Sequence, residues 1–274
     1  MILIYLVVAF VSLGIIYSLR LKENHLQITA GKNSRPYKFA QVSDLHGKLG
    51  RKNLDKLIEK VADVDAIFLT GDIFDDKGDN KTAWEFLDRT KSIKKYYVTG
   101  NHEHRRADCK EIMKALASYN VVLLDDNSPQ MIDSIAIYGV DDIDKDKDSF
   151  FEKLEFYYKN LDENSYNILL AHRPEYADYY QGFDLILSGH NHGGHFRLPF
   201  IGGLVGPGGE IWLGKKVYQK GLYELNQRQK IYVNVGSTDK IYGFVPRFYN
   251  PKEFLIIDVE EKIEEKNINY IINY

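Results

Sequence analysis

Five short apolar stretches of the chain each lead directly into a motif rich in aspartate, asparagine or histidine. These motifs are Asp44-Leu45-His46, Gly71-Asp72, Gly100-Asn101-His102-Glu103, Ala171-His172 and Gly189-His190-Asn191-His192. Continuous apolar stretches are typical of interior sheet strands, and ligand sites in α/β domains lie beyond the carboxyl ends of such strands. Five strand ends can bring their polar side chains together, so the sequence predicts an α/β domain with one metal centre.

Strand patterns and helix patterns alternate along the chain. Strands are predicted at residues 37–42, 66–70, 96–99, 135–138, 167–171, 185–187, 231–235 and 254–259. Apolar residues at i, i+3, i+4 and i+7 predict helices at residues 54–61 and 112–119. The segments Thr82-x-x-Glu85 and Ser149-x-x-Glu152 resemble capping boxes and predict the start of two more helices. This alternation indicates βαβ units.

The N-terminus is apolar without a charged residue over residues 2–19, and Arg20 and Lys22 follow it. As a helix, this segment would extend about 27 Å, close to the roughly 30 Å hydrocarbon core of a bilayer. We predict a transmembrane anchor at residues 1–20, a polar tether at residues 21–36 and a folded domain at residues 37–274. A cleaved signal peptide and a buried core element are the alternatives. Basic residues after the anchor favour the cytoplasmic face for the domain, although its side of the membrane stays open.

Charge and cysteine content exclude several classes of protein. Lys and Arg total 36 against 39 Asp and Glu, a formal net charge of -3, which argues against nucleic acid as a partner. The single cysteine, Cys109, excludes an intramolecular disulfide framework and a zinc module built from several cysteines. We interpret Cys109 as a semi-buried helix residue rather than a nucleophile. The chain is expected to be a monomer.

The five motifs supply enough ligands for two metal ions. An Asp-x-His motif combines a carboxylate oxygen with an imidazole nitrogen, a mixture that suits Mn, Fe or Zn. The Asp72 carboxylate has two oxygens and can bridge two cations. The predicted first-ion ligands are Asp44, His46, Asp72 and His192, and the predicted second-ion ligands are Asp72, Asn101, His172 and His190.

This ordered set resembles the calcineurin-like metallophosphoesterase superfamily, whose pattern is Asp-x-His, Gly-Asp, Gly-Asn-His-(Asp/Glu), His and Gly-His-x-His. The resemblance covers about residues 37–260. Residues 170–175 and 189–199 resemble a membrane-associated bacterial branch that includes the UDP-2,3-diacylglucosamine pyrophosphatase and related phosphodiesterases, although Asn191 and His195 stand where that branch usually has Thr and Gln. The resemblance implies a four-layer sandwich of two mixed β-sheets flanked by helices, placed after the N-terminal transmembrane helix.

The expected activity is hydrolysis of a phosphoester or pyrophosphate bond with two divalent metal ions, on a small or lipid-linked substrate at the membrane. Two such ions can polarise phosphate oxygens while water attacks. His102 is the candidate acid for the leaving oxygen, and its alternative role is a supporting hydrogen bond to the metal ligands. A phosphoprotein phosphatase and a non-catalytic, membrane-tethered metal-binding module are the competing hypotheses.

The remaining candidates lie beside these motifs. Arg173 and Arg197 are stronger candidates for contacting substrate phosphate than Arg105 and Arg106. The segment at residues 196–221 contains several glycines and several apolar residues. An ordinary hairpin with glycine-dependent turns is the favoured interpretation, and an apolar lip that touches lipid or a substrate tail is the alternative.

Overall fold

The computed structural model describes residues 1–30, 35–194, 196–206, 208–212, 217–239 and 247–261. Most of its strands lie in two sheets of six strands each. In spatial order the first sheet contains β1 (Leu21–Ala30), β14 (Lys252–Glu261), β2 (Tyr37–Val42), β3 (Ala66–Thr70), β4 (Lys94–Val98) and β5 (Val121–Leu123). The second contains β12 (Gly221–Glu224), β13 (Lys230–Val233), β9 (Leu185–Ser188), β8 (Tyr166–Ala171), β7 (Ile135–Val140) and β6 (Gln130–Ile132). A small hairpin joins β10 (Arg197–Leu198) to β11 (Gly202–Gly203).

Both sheets are mixed, as the resemblance implies. Strands β2 to β5 are parallel to one another, whereas β14 is antiparallel to β2. Strands β7, β8, β9 and β13 are likewise parallel, with β6 and β12 antiparallel at the two edges. Parallel strands need helical crossovers, which accounts for the predicted βαβ alternation.

Helices cover the outer faces of the sheets. The helices are α1 (Ile2–Ser18), α2 (Arg51–Lys60), α3 (Lys81–Arg89), α4 (Asn101–His104), α5 (Cys109–Leu116) and α6 (Lys147–Asn160). In the first sheet, Ile67 packs toward the outer helices, while the neighbouring Phe68 packs into the apolar layer between the sheets. Residues of α6, such as Leu154, cover the outer face of the second sheet. The α/β fold with two mixed sheets and four layers is therefore confirmed.

The predicted tether is wrong for residues 21–30, because these residues form an edge strand. Strand β1 pairs in parallel with β14 along its whole length, from Leu21 opposite Lys252 to Ala30 opposite Glu261. Its buried residues Ile28 and Ala30 join the apolar layer between the sheets. The polar residues between its apolar positions face outward, which gives the segment the mixed composition of a linker.

The apolar N-terminal segment is a helix, α1, of 17 residues. Among the described residues, no helix is long and apolar enough to cross a membrane, so the predicted anchor is not confirmed. The C-terminal end of α1 packs on the domain. A Cβ at Gly14 would lie 2.4 Å from the Phe248 ring, so only glycine permits this approach. The Ser18 hydroxyl accepts a hydrogen bond from the Asn250 backbone N–H at 3.0 Å.

The two predicted capping boxes lie two or three residues too far along the chain. Helix α6 begins after Asp146, whose carboxylate accepts from the backbone N–H groups of Asp148 and Ser149 at 3.0 and 3.2 Å. Asp146, rather than Ser149, is therefore the N-cap of α6. Helix α3 begins after Asn80, so Thr82 is already inside it.

Candidate metal centre

All five motifs meet where the carboxyl ends of the two sheets face each other. Strands β2, β3 and β4 of the first sheet lead to the first three motifs, and β8 and β9 of the second sheet lead to the last two. Backbone φ is positive at five of the predicted ligands: Asp44, His46, Asp72, His190 and His192, at 48°, 47°, 53°, 65° and 47°. Left-handed backbone is costly for such residues and is concentrated at functional sites, so it marks this strand-end region as functional.

The predicted first-ion ligands form one cluster. Asp44 Oδ1 lies 3.4 Å from His192 Nε2, which lies 3.3 Å from His46 Nε2. Asp72 Oδ2 lies 3.8 Å from His46 Nε2. The side chains are almost completely buried. One ion could contact Asp44, His46 and His192 together because their ligand atoms lie within 4.8 Å of one another.

The predicted second-ion ligands form a second cluster that shares Asp72 with the first. Asp72 Oδ2 lies 3.3 Å from His172 Nε2, which lies 3.3 Å from His190 Nδ1. The Asn101 side-chain amide lies 3.1 Å from the same His190 nitrogen and 3.1 Å from the Arg105 guanidinium. The structure therefore brings together the seven side chains that the sequence predicts as ligands.

The chemistry of this donor set fits a cation. The ligand atoms of Asp44, His46 and His192 lie within 4.8 Å of one another, and so do those of Asp72, His172 and His190. Burial, with a contribution from the Asp72 charge, raises the pKa of Asp44 to about 6 even though His172 opposes the shift. A carboxylate in this environment gains most from a neighbouring positive charge.

Backbone and side-chain acceptors orient the histidine rings. The Thr70 carbonyl oxygen lies 2.8 Å from His172 Nδ1, which directs Nε2 toward Asp72. Asp75 Oδ1 lies 3.5 Å from His46 Nδ1 and 3.1 Å from His102 Nδ1. Such partners of metal-binding histidines fix the tautomer and the direction of the ring. Asp75 is not among the residues predicted from the sequence, although its position three residues after Asp72 could have indicated it.

Glu103 holds the loop that carries Asp72. Its buried carboxylate accepts from the backbone N–H groups of Asp72, Phe74 and Gly100 at 2.9, 2.9 and 2.8 Å. Burial, together with the Asp72 charge, raises the pKa of Glu103 to about 7. Glu103 therefore positions the loop that carries Asp72.

His102 lies at the rim of the two clusters. Its Nε2 is 4.0 Å from Asp72 Oδ2, and its side chain is 12% exposed, so one ring edge reaches the solvent-filled cavity. The other edge is directed at Asp75. This position suits a proton donor to a bound substrate as well as a hydrogen-bonding neighbour of the ligands, so the acid role stays a prediction.

A cavity of about 330 Å³ opens over the clusters. It is lined by Asp72, Asn101, His102, Arg105, Arg173, Glu175, His190, His192, Gly208 and Glu210. Of the four candidate arginines, Arg105 and Arg173 line it. Arg106 instead pairs with Asp108 at 2.8 Å, and Arg197 lines a different cavity.

Arg173 and Asn191, which lie beside the ligand motifs in the sequence, both have defined contacts in the structure. Arg173 is held by Asp142 at 2.7 Å and by Asp144 at 3.0 Å, so its guanidinium is fixed at the wall of the cavity. Asn191 is buried and donates to the Tyr218 carbonyl at 2.7 Å, directed away from the clusters. His195 lies outside the described residues.

Comparison with known proteins gives the family. A model of the calcineurin-like phosphoesterases matches residues 37–194, which contain all five motifs. An uncharacterised metallophosphoesterase of Campylobacter jejuni is 28% identical over 235 residues, covering 82% of this chain and 59% of that protein. A Helicobacter pylori metallophosphoesterase is 28% identical over 245 residues, covering 85% and 62%. A bovine transmembrane protein with a metallophosphoesterase domain is 28% identical over 233 residues, covering 77% and 50%.

This chain therefore spans about half to three fifths of the length of these relatives. The family match covers more than half of the chain and includes every strand-end motif from Asp44 to His192. The chain belongs to the calcineurin-like phosphoesterase family.

Proposed function

We propose that the chain hydrolyses a phosphoester or pyrophosphate bond with the help of two divalent metal ions. The observation that carries this proposal is the position of Asp72 Oδ2, which lies 3.8 Å from a nitrogen of the first cluster and 3.3 Å from a nitrogen of the second. One carboxylate between two sets of nitrogen and oxygen donors is suited to two ions rather than one.

The residues of the site would have three roles, which are metal binding, substrate binding and proton donation. Asp44, His46, Asp72 and His192 would hold one ion, and Asp72, Asn101, His172 and His190 the other. When bound, Mn, Fe or Zn ions would supply positive charge that activates water and stabilises the phosphoryl transition state. Arg105 and Arg173, at the cavity wall, would bind the substrate phosphate. His102 would donate a proton to the leaving oxygen.

A comparison of two histidine substitutions tests the proposal. His190→Ala should lower the metal content from two ions per chain to one and abolish metal-stimulated hydrolysis of a chromogenic phosphodiester. His25→Ala removes an exposed imidazole on β1 and should change neither quantity. Metal content is measured by mass spectrometry on the same samples. Undiminished hydrolysis by His190→Ala would show that this centre is not the catalytic site.

We further propose that the domain works at a membrane, with a lipid-linked phosphate compound as substrate. The support is the apolar surface of α1, almost all of which is exposed, together with the printed name of the bovine relative. Resistance of the full chain to carbonate extraction, lost when residues 1–20 are removed, is the expected result. Equal rates on phosphopeptides and lipid phosphates would remove the lipid preference, and faster hydrolysis of phosphopeptides would favour a phosphoprotein phosphatase. The finer resemblance to UDP-2,3-diacylglucosamine pyrophosphatase stays a prediction.

A further inference from the structure

A second, larger cavity lies beside α1 and shares no lining residue with the cavity over the metal centre. Its volume is about 880 Å³, and it runs between the C-terminal half of α1 and the β10–β11 hairpin. We call it the α1 groove. It is lined by Leu13, Ile16, Tyr17, Arg20, Arg197, Leu198, Pro199, Phe200, Ile201, Gly202, Gln219 and Tyr249.

The walls of the α1 groove are apolar and open to solvent. Leu13 and Ile16 on the helix are 60% and 55% exposed, and Phe200 and Ile201 on the hairpin are 109% and 59% exposed. Contiguous exposed apolar surface of this kind marks a binding face, because water contact with it is unfavourable.

The tip of the hairpin adds conformational strain to this exposure. Phe200 has a backbone φ of 68°, in the left-handed region that bulky residues rarely adopt. Its ring points into solvent, so no packing within the described residues compensates for the strain. A strained aromatic residue that is fully exposed is expected where a ligand covers the ring.

Two arginines give the α1 groove a positive charge. Among the described residues, no carboxylate lies within 4.0 Å of the guanidinium of Arg20 or Arg197. Arg20 has only a distant contact with the Tyr17 ring, at 5.9 Å. Arg197 donates to the Gly193 carbonyl and to the Gln219 side chain, and its burial lowers its pKa. A partly buried guanidinium that has no carboxylate in ion-pair contact among the described residues favours binding of an anion.

We propose that the α1 groove binds an anionic phospholipid of a bilayer, with an acyl chain between α1 and the hairpin and the phosphate at Arg20 and Arg197. The apolar walls and the two arginines match the two halves of such a molecule. Helix α1 is apolar around its whole circumference, which favours lipid over a polar protein surface as the neighbour of this face. The site is separate from the phosphoesterase centre and holds the domain at the lipid surface.

Soluble short-chain lipids test the groove without a bilayer. The full chain is titrated with monomeric dihexanoyl phosphatidylglycerol and, separately, with dihexanoyl phosphatidylcholine, and binding is measured by calorimetry. We expect the anionic lipid to bind at least fivefold more tightly. Arg20→Gln should remove about fivefold of that preference, and Phe200→Ser should weaken binding of both lipids. The controls Lys52→Gln and Met131→Ser make the same chemical changes at exposed positions elsewhere and should bind like the unmodified chain.

Three outcomes would overturn the proposal. Equal affinity for the two lipids would show partition onto apolar surface without recognition of charge. Equal losses in the control variants would show that the effect is not specific to the groove, and absence of lipid binding would point to a different occupant. Arg20→Gln and Phe200→Ser should leave hydrolysis of a soluble chromogenic ester unchanged, so this result is independent of the test of the metal centre.

Discussion

Asp75 is expected to serve both the first metal cluster and the candidate acid, and its replacement by asparagine tests this double role. One carboxylate oxygen, Oδ1, lies 3.5 Å from His46 Nδ1 and 3.1 Å from His102 Nδ1. The Asp75→Asn side chain keeps an oxygen for these contacts but loses the negative charge. The substitution therefore removes charge assistance while preserving the shape of the site.

The magnitude follows from the difference between charged and neutral hydrogen bonds. A bond to a charged group contributes about 1.5–3 kcal/mol and a neutral bond about 0.5–1.5 kcal/mol, so the loss is about 1–1.5 kcal/mol at the shorter contact. At about 1.4 kcal/mol for each factor of ten, kcat/KM should fall about tenfold. Metal affinity should fall less, because the His46 contact is longer.

The neighbouring residue Asp76 provides a matched control. Asp76 Oδ1 lies 3.5 Å from His102 Nδ1, farther than Asp75 Oδ1 at 3.1 Å. Asp76→Asn should therefore change kcat/KM by less than about threefold. Hydrolysis of a chromogenic phosphodiester and titration with Mn²⁺ give the two quantities for each variant.

A double substitution separates the two roles of Asp75. In a His102→Gln background, Asp75→Asn should still weaken metal binding through His46 but should lower hydrolysis at saturating metal no further. An equal effect of Asp75→Asn and Asp76→Asn would refute the reasoning, because it would show that both residues act only through their negative charge. A full tenfold loss in the His102→Gln background would show that the effect does not pass through that imidazole.

Three further predictions concern stability and the support of the site. Glu103→Gln should lower Tm by about 2–8 °C relative to the exposed Glu111→Gln, since an amide cannot accept from all three backbone N–H groups; equal melting curves would contradict this. Burial lowers the pKa of Lys95 from 10.5 to about 8. Between these values the unfolded chain keeps the proton and the folded chain loses it, so stability should rise with pH, by at most about 3 kcal/mol. Urea titrations should show that Lys95→Met removes this rise, and a persisting slope would exclude Lys95 as its source. Asn250 Nδ2 donates to the His192 carbonyl at 2.6 Å; Asn250→Ala should weaken Mn²⁺ binding several-fold in a titration, whereas unchanged affinity would show that the His192 turn holds itself.

The convergence of the ligand motifs was predictable from sequence because each motif has a local signal. A buried apolar strand followed by glycine and a polar residue identifies one strand end, and the parallel arrangement of the strands places these ends together. His172 has no distinctive local signal of this kind. A single histidine after a strand is ordinary, and only the order of all five motifs distinguished it.

The role of Asp75 was harder to predict from the sequence than the ligand motifs, because it depends on the conformation of the loop between β3 and α3. Glu103 holds the first part of that loop by accepting from the Asp72 and Phe74 backbones, and Asn80 accepts from the Asp75 N–H at 2.7 Å. These contacts join residues on different elements, and no periodic pattern records them. The position of a supporting carboxylate is decided by such contacts rather than by propensity.

Strand β1 was missed for a related reason. Its partner β14 lies more than 200 residues away in the chain, and the pairing is parallel, so no turn signal links the two strands. In β1, apolar residues such as Ile28 are spaced between polar ones, whereas an interior strand such as β3 is continuously apolar and buried. An edge strand needs apolar residues on only one face, which makes its sequence similar to that of a linker.

Hydrogen bonds connect the N-terminal helix α1 to the metal centre. Ser18 at the end of α1 accepts from the Asn250 backbone, and the Asn250 side chain donates to the carbonyl of His192. Two hydrogen bonds thus join the apolar helix to a predicted ligand of the first ion. A change in the packing of α1 would be transmitted to that ligand before any other, because β1, which follows α1, is fixed by its ten-residue ladder with β14. If lipid fills the α1 groove, its first effect on the centre should be on the ion held by His192, and the second cluster, whose His172 is fixed by the Thr70 carbonyl, should respond less.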